Sequence, residues 1–331
     1  MNLQQRIELM GRLGDYMRSE ESEWIAAKAR AYTWNNWFIP DFIDKAVDNI
    51  TGQVLQREAL TAWAEAYPVK TENTARTVGV IMAGNIPLVG FHDFLCVFLS
   101  GHRQRIKISS KDDVLLPFLI KQLIQWEPSL ANSVEISPSL KGCDAYIATG
   151  SNNSSRYFDY YFGKYPSIIR RNRTSVAVLS GAETTTDLEK LADDVQLYFG
   201  LGCRNVTKLY VPKEYDFLPL LNALRKYQFF FDHNKYRNNY DYQLAIYLMN
   251  NQFYMTNDSI VLVEHTELFS PIGTLYYEFY EPNGDLSIEL SENQSVQCIT
   301  GKGGLPFGST QSPSLQDYAD GVDTMAFLST L

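Results

Sequence analysis

The chain has 331 residues, long for one compact core and suited to two domains that share an interface. Hydrophobic residues make up 45% and charged residues 20%, and aromatics reach 13% with 21 Tyr, enough large amphipathic side chains to line a cleft or an oligomer interface. The net charge of -9 argues against a general nucleic-acid binder, which needs a basic footprint to displace counterions, so any phosphate-bearing ligand must be met by a local basic cluster.

The N-terminus lacks the basic start and apolar core of a signal peptide. No run approaches the roughly 18 apolar residues that span a bilayer. Cys96, Cys143, Cys203 and Cys298 are scattered, with no CxxC pair and no His at metal-ligand spacing. These features predict a reduced, cytoplasmic protein with no membrane span and no metal site.

Residues 1 to about 66 carry apolar positions at helical spacing, among them Leu3, Ile7, Met10, Leu13 and Met17, and later Leu60, Trp63 and Ala64. TVGVIMAG, ending at Gly84, is a short β-rich apolar run and predicts a buried strand. NIPLVGFHDFLCVFLSG then predicts an apolar helix with Pro87 near its start and Gly101 past its end. RQRIKIS, SVEIS and CDAYIATG predict further strands, with a helix over VLLPFLIKQLIQW between the first two. Such alternation means a parallel sheet with crossover helices, a dinucleotide-fold architecture without its GxGxxG. A new unit opens near Thr174 with the strand SVAVLS. The helix after it ends at Gly200-Leu201-Gly202, Cys203 follows, and TKLYVP predicts the next strand. Helix and strand alternate on to about Tyr280, and the Gly-, Pro- and Ser-rich tail from Gly301 predicts a loop wrapped over the body.

Cys203 lies in a glycine-rich turn, where backbone freedom lets a substrate approach closely. It reads as a cleft thiol or as a small buried hydrophobe; for the other three cysteines, core filling is favoured. Asn85 ends a strand, where α/β folds bind ligands, and its amide can donate to a developing oxyanion or cap a helix. Lys107, with Ser109 and Ser110 after it, ends the next strand and can hold a ribose or phosphate, or be a solvated strand end. Gly150 and Ser151 open a loop that can present N–H groups to a pyrophosphate. Arg170, Arg171 and Arg173, with Arg156 and Lys164 upstream, form a dense basic cluster suited to a phosphate or to surface ion pairs. His233 is a conceivable general acid or a structural residue, and His92 reads as packed or capping.

In order along the chain, these pieces resemble the aldehyde dehydrogenase superfamily, most closely its acyl-CoA reductase branch, which includes the fatty acyl reductase of bacterial luminescence. The resemblance runs from about Thr77 to Phe327. It rests on Asn85-Ile86-Pro87, on Lys107, on Thr149-Gly150-Ser151, on Cys203, on Glu267-Leu268-Phe269-Ser270-Pro271 and on Pro306-Phe307-Gly308. It implies an aldehyde-dehydrogenase-like α/β fold, two parallel-sheet Rossmann-like domains with an N-terminal helical segment. Their expected bounds are 1–173 for the N-terminal helices and NAD(P)-binding domain and 174–331 for the catalytic domain with its returning tail. It also implies roles. Cys203 forms a thioester with the acyl group, and Asn85 and the Cys203 backbone N–H form the oxyanion hole. Lys107 holds the adenosine ribose of the cofactor, Glu267 holds the nicotinamide ribose, and Phe269 packs near the ring.

The departures from the superfamily carry information. Hydrolytic members have a Glu-Leu-Gly-Gly stretch whose Glu activates water. Here Ile168 to Arg173 contain no carboxylate, which suits acyl exchange with a thiol such as CoA and an acyl-CoA or acyl-carrier substrate. Ser110 stands where NAD-specific members often carry Glu; a hydroxyl does not repel a 2′-phosphate, so the expected cofactor is NADPH, with NADH the alternative. A Gly expected beyond Thr-Gly-Ser is replaced around Ser155. The chain is short for the superfamily, which points to a trimmed oligomerisation element. A homo-oligomer and an acyl-activating partner enzyme are both open. Two rival functions stay open: a reductase of an acyl phosphate or other activated carboxylate, and a non-catalytic nucleotide-binding homologue.

Overall fold

The computed structural model describes residues 1–68, 74–281 and 286–331, and the chain divides into two compact units. The first unit comprises Met1–Asn172 and Pro313–Leu331; the second comprises Arg173–Ser312.

The first unit opens with helices α1 (Leu3–Arg18), α2 (Ser22–Trp34), α3 (Pro40–Asn49) and α4 (Arg57–Ala64). Helix α1 starts at a reciprocal cap in which the Asn2 and Gln5 side chains each accept the other's backbone N–H at 2.9 Å. Its Ile7, Met10 and Leu13 are fully buried, as the helical spacing predicts. The sheet follows: β1 (Thr77–Ile81), α5 (Phe91–Ser100), β2 (Arg103–Lys107), α6 (Leu115–Trp126), β3 (Val134–Ile136), β4 (Ala145–Thr149), α7 (Asn152–Phe162) and β5 (Ser167–Arg170). All five strands are parallel, in the order β3-β2-β1-β4-β5. The chain reverses direction across the sheet between β1 and β4, and such switch points open a crevice at the carboxyl ends of their strands.

In the second unit, β6 (Thr174–Val178), α8 (Thr185–Gln196), β7 (Val206–Pro212), α9 (Leu218–Leu224), α10 (Asn234–Met249), β8 (Met255–Thr256), β9 (Val261–Glu264), β10 (Thr274–Tyr280), α11 (Leu286–Glu292) and β11 (Val296–Gly301) build a six-stranded sheet. Its order is β11-β6-β7-β10-β9-β8, and the short edge strand β8 is the antiparallel one. Strands buried on both faces explain the near-continuous apolar runs at β6 and β7.

Three local expectations are corrected. The helix after Asn85-Ile86-Pro87 begins at Phe91, because Leu88 takes a left-handed φ of 56° that breaks a helix started at Pro87. Past Gly150 the chain is helix rather than loop, since Ser151 caps α7 by accepting the Ser154 N–H at 3.2 Å. The C-terminal tail is not loop throughout. It ends in a helix, Thr324–Ser329, which buries Met325 and Leu328 in the first unit and which Asp323 caps through Ala326 N–H at 2.8 Å. Among the described residues no helix is long and apolar enough to cross a membrane.

Candidate active site

In the second unit, Cys203 sits on a loop whose backbone is unusual and tightly held. Helix α8 gives way to three successive left-handed residues, Tyr198 (φ 55°), Phe199 (φ 57°) and Gly200 (φ 73°). Only glycine adopts that conformation freely; the two aromatic residues each cost about 1–2 kcal/mol there. Packing offsets the cost: both are buried, and the Phe199 ring lies 4.3 Å from Phe230 and 4.6 Å from His233.

Asn205 clamps the loop from below. Its side chain is wholly buried, its Oδ1 accepts the Gly202 N–H at 2.8 Å, and its amide donates to the carbonyls of Leu197 (2.9 Å), Asp194 (3.1 Å) and Val195 (3.3 Å). Asp194 extends the network to the Pro306-Phe307-Gly308 turn, accepting from Gly308 N (2.7 Å), Thr310 N (3.1 Å) and Thr310 Oγ1 (2.7 Å). The buried Ser175 hydroxyl donates to the Cys203 carbonyl at 3.1 Å and lies 3.0 Å from the Cys298 thiol. Sequence reasoning missed Asn205, Asp194 and Ser175. The one local signal was a polar amide two residues after the cysteine, on the edge of an apolar strand.

Replacing Asn205 with alanine is expected to lower stability by about 2 kcal/mol, since it orphans a buried N–H and three carbonyls. It should also slow thiol labelling or acyl transfer at Cys203, because the left-handed run loses its clamp. Thermal unfolding and alkylation kinetics check the two effects; a Tm shift with normal Cys203 reactivity would leave Asn205 a purely structural residue.

The cysteines separate by environment. Cys96 and Cys143 are buried, and burial pushes both thiols above their ordinary value, Cys96 strongly. Cys203 and Cys298 are half-buried. His233 caps α10, accepting the Tyr236 N–H at 3.3 Å through Nδ1, and His92 packs between Trp63 and Tyr318 with its Nε2 3.0 Å from the Leu315 carbonyl. Both geometries are structural. Glu267 and Phe269 lie on the exposed connection between β9 and β10.

In the first unit, the carboxyl ends of β1, β2 and β4 collect the other candidates. Asn85 is half-buried in the turn after β1. Lys107 is exposed at the end of β2, and the loop after it is braced from α2, with Trp34 Nε1 donating to the Ser110 carbonyl at 2.9 Å and Asn35 to the Lys111 carbonyl at 3.0 Å. A Cβ on Gly84 would fall 2.5 Å from the Ser109 hydroxyl, so the Asn85 turn and the Lys107 loop need a glycine to pack together. A Cβ on Gly150 would meet Phe158 at 2.7 Å, so α7 docks on the strand end. Ser155 is buried and bonds the Asn152 carbonyl at 2.9 Å within α7.

Asp112, also missed, ties these loops together. Its carboxylate accepts the Leu88 N–H at 2.8 Å, and burial pushes its pKa up to about 6, against a partial lowering by the Leu88 and Leu115 N–H groups. A carboxyl whose folded pKa exceeds its unfolded value of 3.8 contributes most stability below pH ~4, and that contribution is lost as pH rises through about 6. The contribution is about 3 kcal/mol. Asp112→Asn is therefore expected to change Tm least near pH 4 and to gain on the unsubstituted protein between pH ~4 and ~7; parallel curves would refute this.

The basic run is not one cluster. Arg170 is 3% exposed, with Nη1 at 2.5 Å from Asp93 Oδ2 and Nη2 at 2.9 Å from Thr324 Oγ1. Both of its Nη groups are engaged and the side chain is buried inside the first unit, so the expectation that it meets a substrate phosphate is corrected. Arg171 is exposed and pairs with Asp159 at 3.1 Å, a bond worth at most about 1 kcal/mol at a surface. Arg173 begins the second unit and donates to the Val296 carbonyl at 3.4 Å.

Comparison with known structures supports this architecture. Aldehyde dehydrogenase 21 from Physcomitrella patens, solved with succinate, matches all of the chain and 84% of its own length, at 10% identity and a TM-score of 0.69. P. syringae AldA, an indole-3-acetaldehyde dehydrogenase solved with NAD+ and IAA, matches 91% of the chain and 72% of its own, at 11% identity and a TM-score of 0.63. An aldehyde dehydrogenase from Bacillus cereus, solved with NAD+, gives 91%, 72%, 12% and 0.61 in the same terms. No curated protein matches the chain in sequence. The fold is that of the aldehyde dehydrogenase superfamily, two parallel-sheet Rossmann-like units with a cysteine-bearing loop in the second. Within it, residues 26–217 match the family model of acyl-CoA reductase (LuxC), more than half of the chain and inclusive of Asn85, Lys107 and Cys203. The chain belongs to that family, and family and fold together make it an oxidoreductase of aldehyde chemistry.

Proposed function

We propose that the protein reduces an acyl-CoA thioester to an aldehyde with NAD(P)H, through a covalent thioester on Cys203. The observation that carries this reading is a half-buried cysteine on a locked loop inside the acyl-CoA reductase match. In this reading the Cys203 thiolate attacks the acyl carbonyl, the bond from carbonyl carbon to CoA sulfur breaks, and CoA leaves as its thiolate. The Asn85 amide and the Cys203 N–H are the oxyanion donors. When bound, reduced nicotinamide supplies the hydride that converts the acyl carbonyl to an aldehyde as the bond to Cys203 breaks.

The first unit suits that nucleotide. Its switch point lies at the ends of β1 and β4, an exposed Lys107 stands beside it, and the first turn of α7, with Gly150 and Ser151, offers N–H groups to phosphate. We assign Lys107 and Ser109 to the adenosine ribose, Glu267 to the nicotinamide ribose and Phe269 to the ring face. The exposed Ser110 leaves room for a 2′-phosphate and favours NADPH. Arg171 and Arg173 remain candidates for the phosphates of CoA or of an acyl carrier. Ile168 to Arg173 supply no carboxylate to activate water, which favours aldehyde formation over release of free acid. These substrates and four free cysteines suit the cytoplasm, with a homo-oligomer or an acyl-activating enzyme as partner. The proposed functional division is N-terminal helices and an NAD(P)-binding domain over 1–173 and a catalytic domain over 174–331, whose returning C-terminal tail, Pro313–Leu331, belongs structurally to the first unit.

NADPH consumption with acyl-CoAs of graded chain length tests the reading, with intact-protein mass spectrometry to find the acyl adduct. An adduct mapped to Cys203 is the expected result. Turnover of acyl phosphates with no response to any CoA ester would replace the substrate class, and no adduct or turnover with either would defeat the enzyme reading.

A further inference from the structure

Lys208 is out of place for an ordinary structural residue. It sits in β7, flanked by β6 and β10, with Val206, Leu209 and Val211 around it in the strand, and it is 0% exposed. Burying an ammonium is costly unless it is fully partnered, and a parallel-sheet interior normally carries Val, Ile or Leu at such a position. Its partners are specific. Nζ bonds the half-exposed Glu278 carboxylate on β10, lies 5.0 Å from the centre of the Tyr210 ring, and donates to the Thr266 carbonyl at 2.7 Å.

Thr266 immediately precedes Glu267, and the neighbouring peptide groups are held as well. The Thr207 hydroxyl, also from β7, donates to the Leu268 carbonyl at 2.6 Å. The Glu267 N–H donates to His265 Nδ1 at 3.0 Å, and the His265 ring stacks on Tyr276 with centroids 4.4 Å apart. Three backbone groups about Glu267, the Thr266 carbonyl, the Glu267 N–H and the Leu268 carbonyl, are thus fixed by side chains, while Glu267 itself stays exposed. An exposed connection between strands ordinarily has no such bracing. A brace that leaves the carboxylate outward defines where that carboxylate can reach.

We propose that Lys208, charge-balanced by Glu278 and assisted by Thr207, is a positioning residue that presents the Glu267 carboxylate to the nicotinamide ribose. This rests on the assignment of Glu267 to that ribose. The energetic logic is preorganisation: a carboxylate held in place loses less freedom when it binds a hydroxyl pair than one on a loose loop. Lysine serves because its ammonium donates to the carbonyl and pairs with Glu278 at once; methionine has nearly the same length and neither capacity.

The test uses the full-length protein and NADPH as the probe. Fluorescence titration gives Kd, and amide hydrogen exchange over 264–270 is measured without cofactor. Lys208→Met is expected to weaken NADPH binding about tenfold and to speed exchange at Glu267, with Lys208→Arg close to the unsubstituted protein. Thr207→Val, nearly the same shape, is expected to show a smaller loss of both and serves if Lys208→Met does not fold. In a Glu267→Ala background either substitution should leave Kd unchanged, because the brace acts only through Glu267. The proposal is overturned if Lys208→Met or Thr207→Val binds NADPH normally, or if their losses persist undiminished in the Glu267→Ala background. Unchanged binding by Glu267→Ala alone would instead remove the ribose assignment, and the positioning role with it, even where exchange still reports a loosened loop.

Discussion

Cys203→Ala is expected to lower aldehyde formation by on the order of ten-thousand-fold or more while leaving nucleotide binding intact. The reason lies in what alanine removes. The loop geometry comes from Asn205, the buried Phe199 and the Ser175 contact to the Cys203 carbonyl, none of which uses the thiol. The variant is therefore expected to keep its fold and to lose only the sulfur proposed to form the thioester. Cys203→Ser should be nearly as inactive, since an unassisted hydroxyl is a far weaker nucleophile than a thiolate.

Cys298→Ala is the decisive control. Cys298 is the other half-buried cysteine, and the Ser175 hydroxyl links it to the same loop. Its removal should change kcat by no more than a few-fold. Steady-state NADPH oxidation and mass-mapped acyl adducts read both variants. An active Cys203→Ala beside an inactive Cys298→Ala would move the nucleophile from β7's leading loop to β11.

Arg170→Met should produce the largest loss of stability in the first unit, about 3–5 kcal/mol, because it strands the Asp93 carboxylate in a buried site. Arg170 and Asp93 have side chains only 4% and 10% exposed. Burial works against the guanidinium's charge, yet its pKa is raised, so the attraction of Asp93 prevails. The same guanidinium holds Thr324 at the start of the C-terminal helix, so β5, α5 and that helix meet at one cation. Removing both charges, in Asp93→Leu with Arg170→Met, should restore much of the loss, because no uncompensated ion is left. Thermal unfolding of the two single variants and the double variant decides this. Additive losses would mean that the pair is not coupled. Kinetics supply an independent check on the corrected role: if Arg170 met a substrate phosphate, Arg170→Met would raise the acyl-CoA KM out of proportion to its stability loss, whereas only Arg171→Ala and Arg173→Ala are expected to affect KM directly.

Much of the fold was legible in the chain because its signals are local. The apolar runs at Thr77–Ile81 and Thr174–Val178 need only residue type and neighbour spacing to declare buried strands, and they form where expected. The α7 error was also local in origin: a run of Ser and Asn favours a turn, but Ser151 uses its hydroxyl as a cap and the aromatic face of the helix packs behind it. The short tail helix escaped because its stability comes from Met325 and Leu328 packing into a distant core, not from its own sequence.

By itself the sequence determined the strand–helix alternation, the loops that carry the candidate residues Asn85, Lys107, Cys203 and Glu267, and the absence of a carboxylate between Ile168 and Arg173. What only the tertiary structure decided was the fate of polar groups whose partners lie far along the chain. Arginines that look alike in sequence diverge: the two-residue alternation of β5 turns its last residue, Arg170, inward onto an aspartate 77 residues away, while Arg171, just past the strand, faces solvent. Asp112, Asn205 and Lys208 likewise read as ordinary polar residues until the fold removes their water. A buried polar group must then find a partner, and the partners found here are the backbone groups of the loops that carry the candidate site.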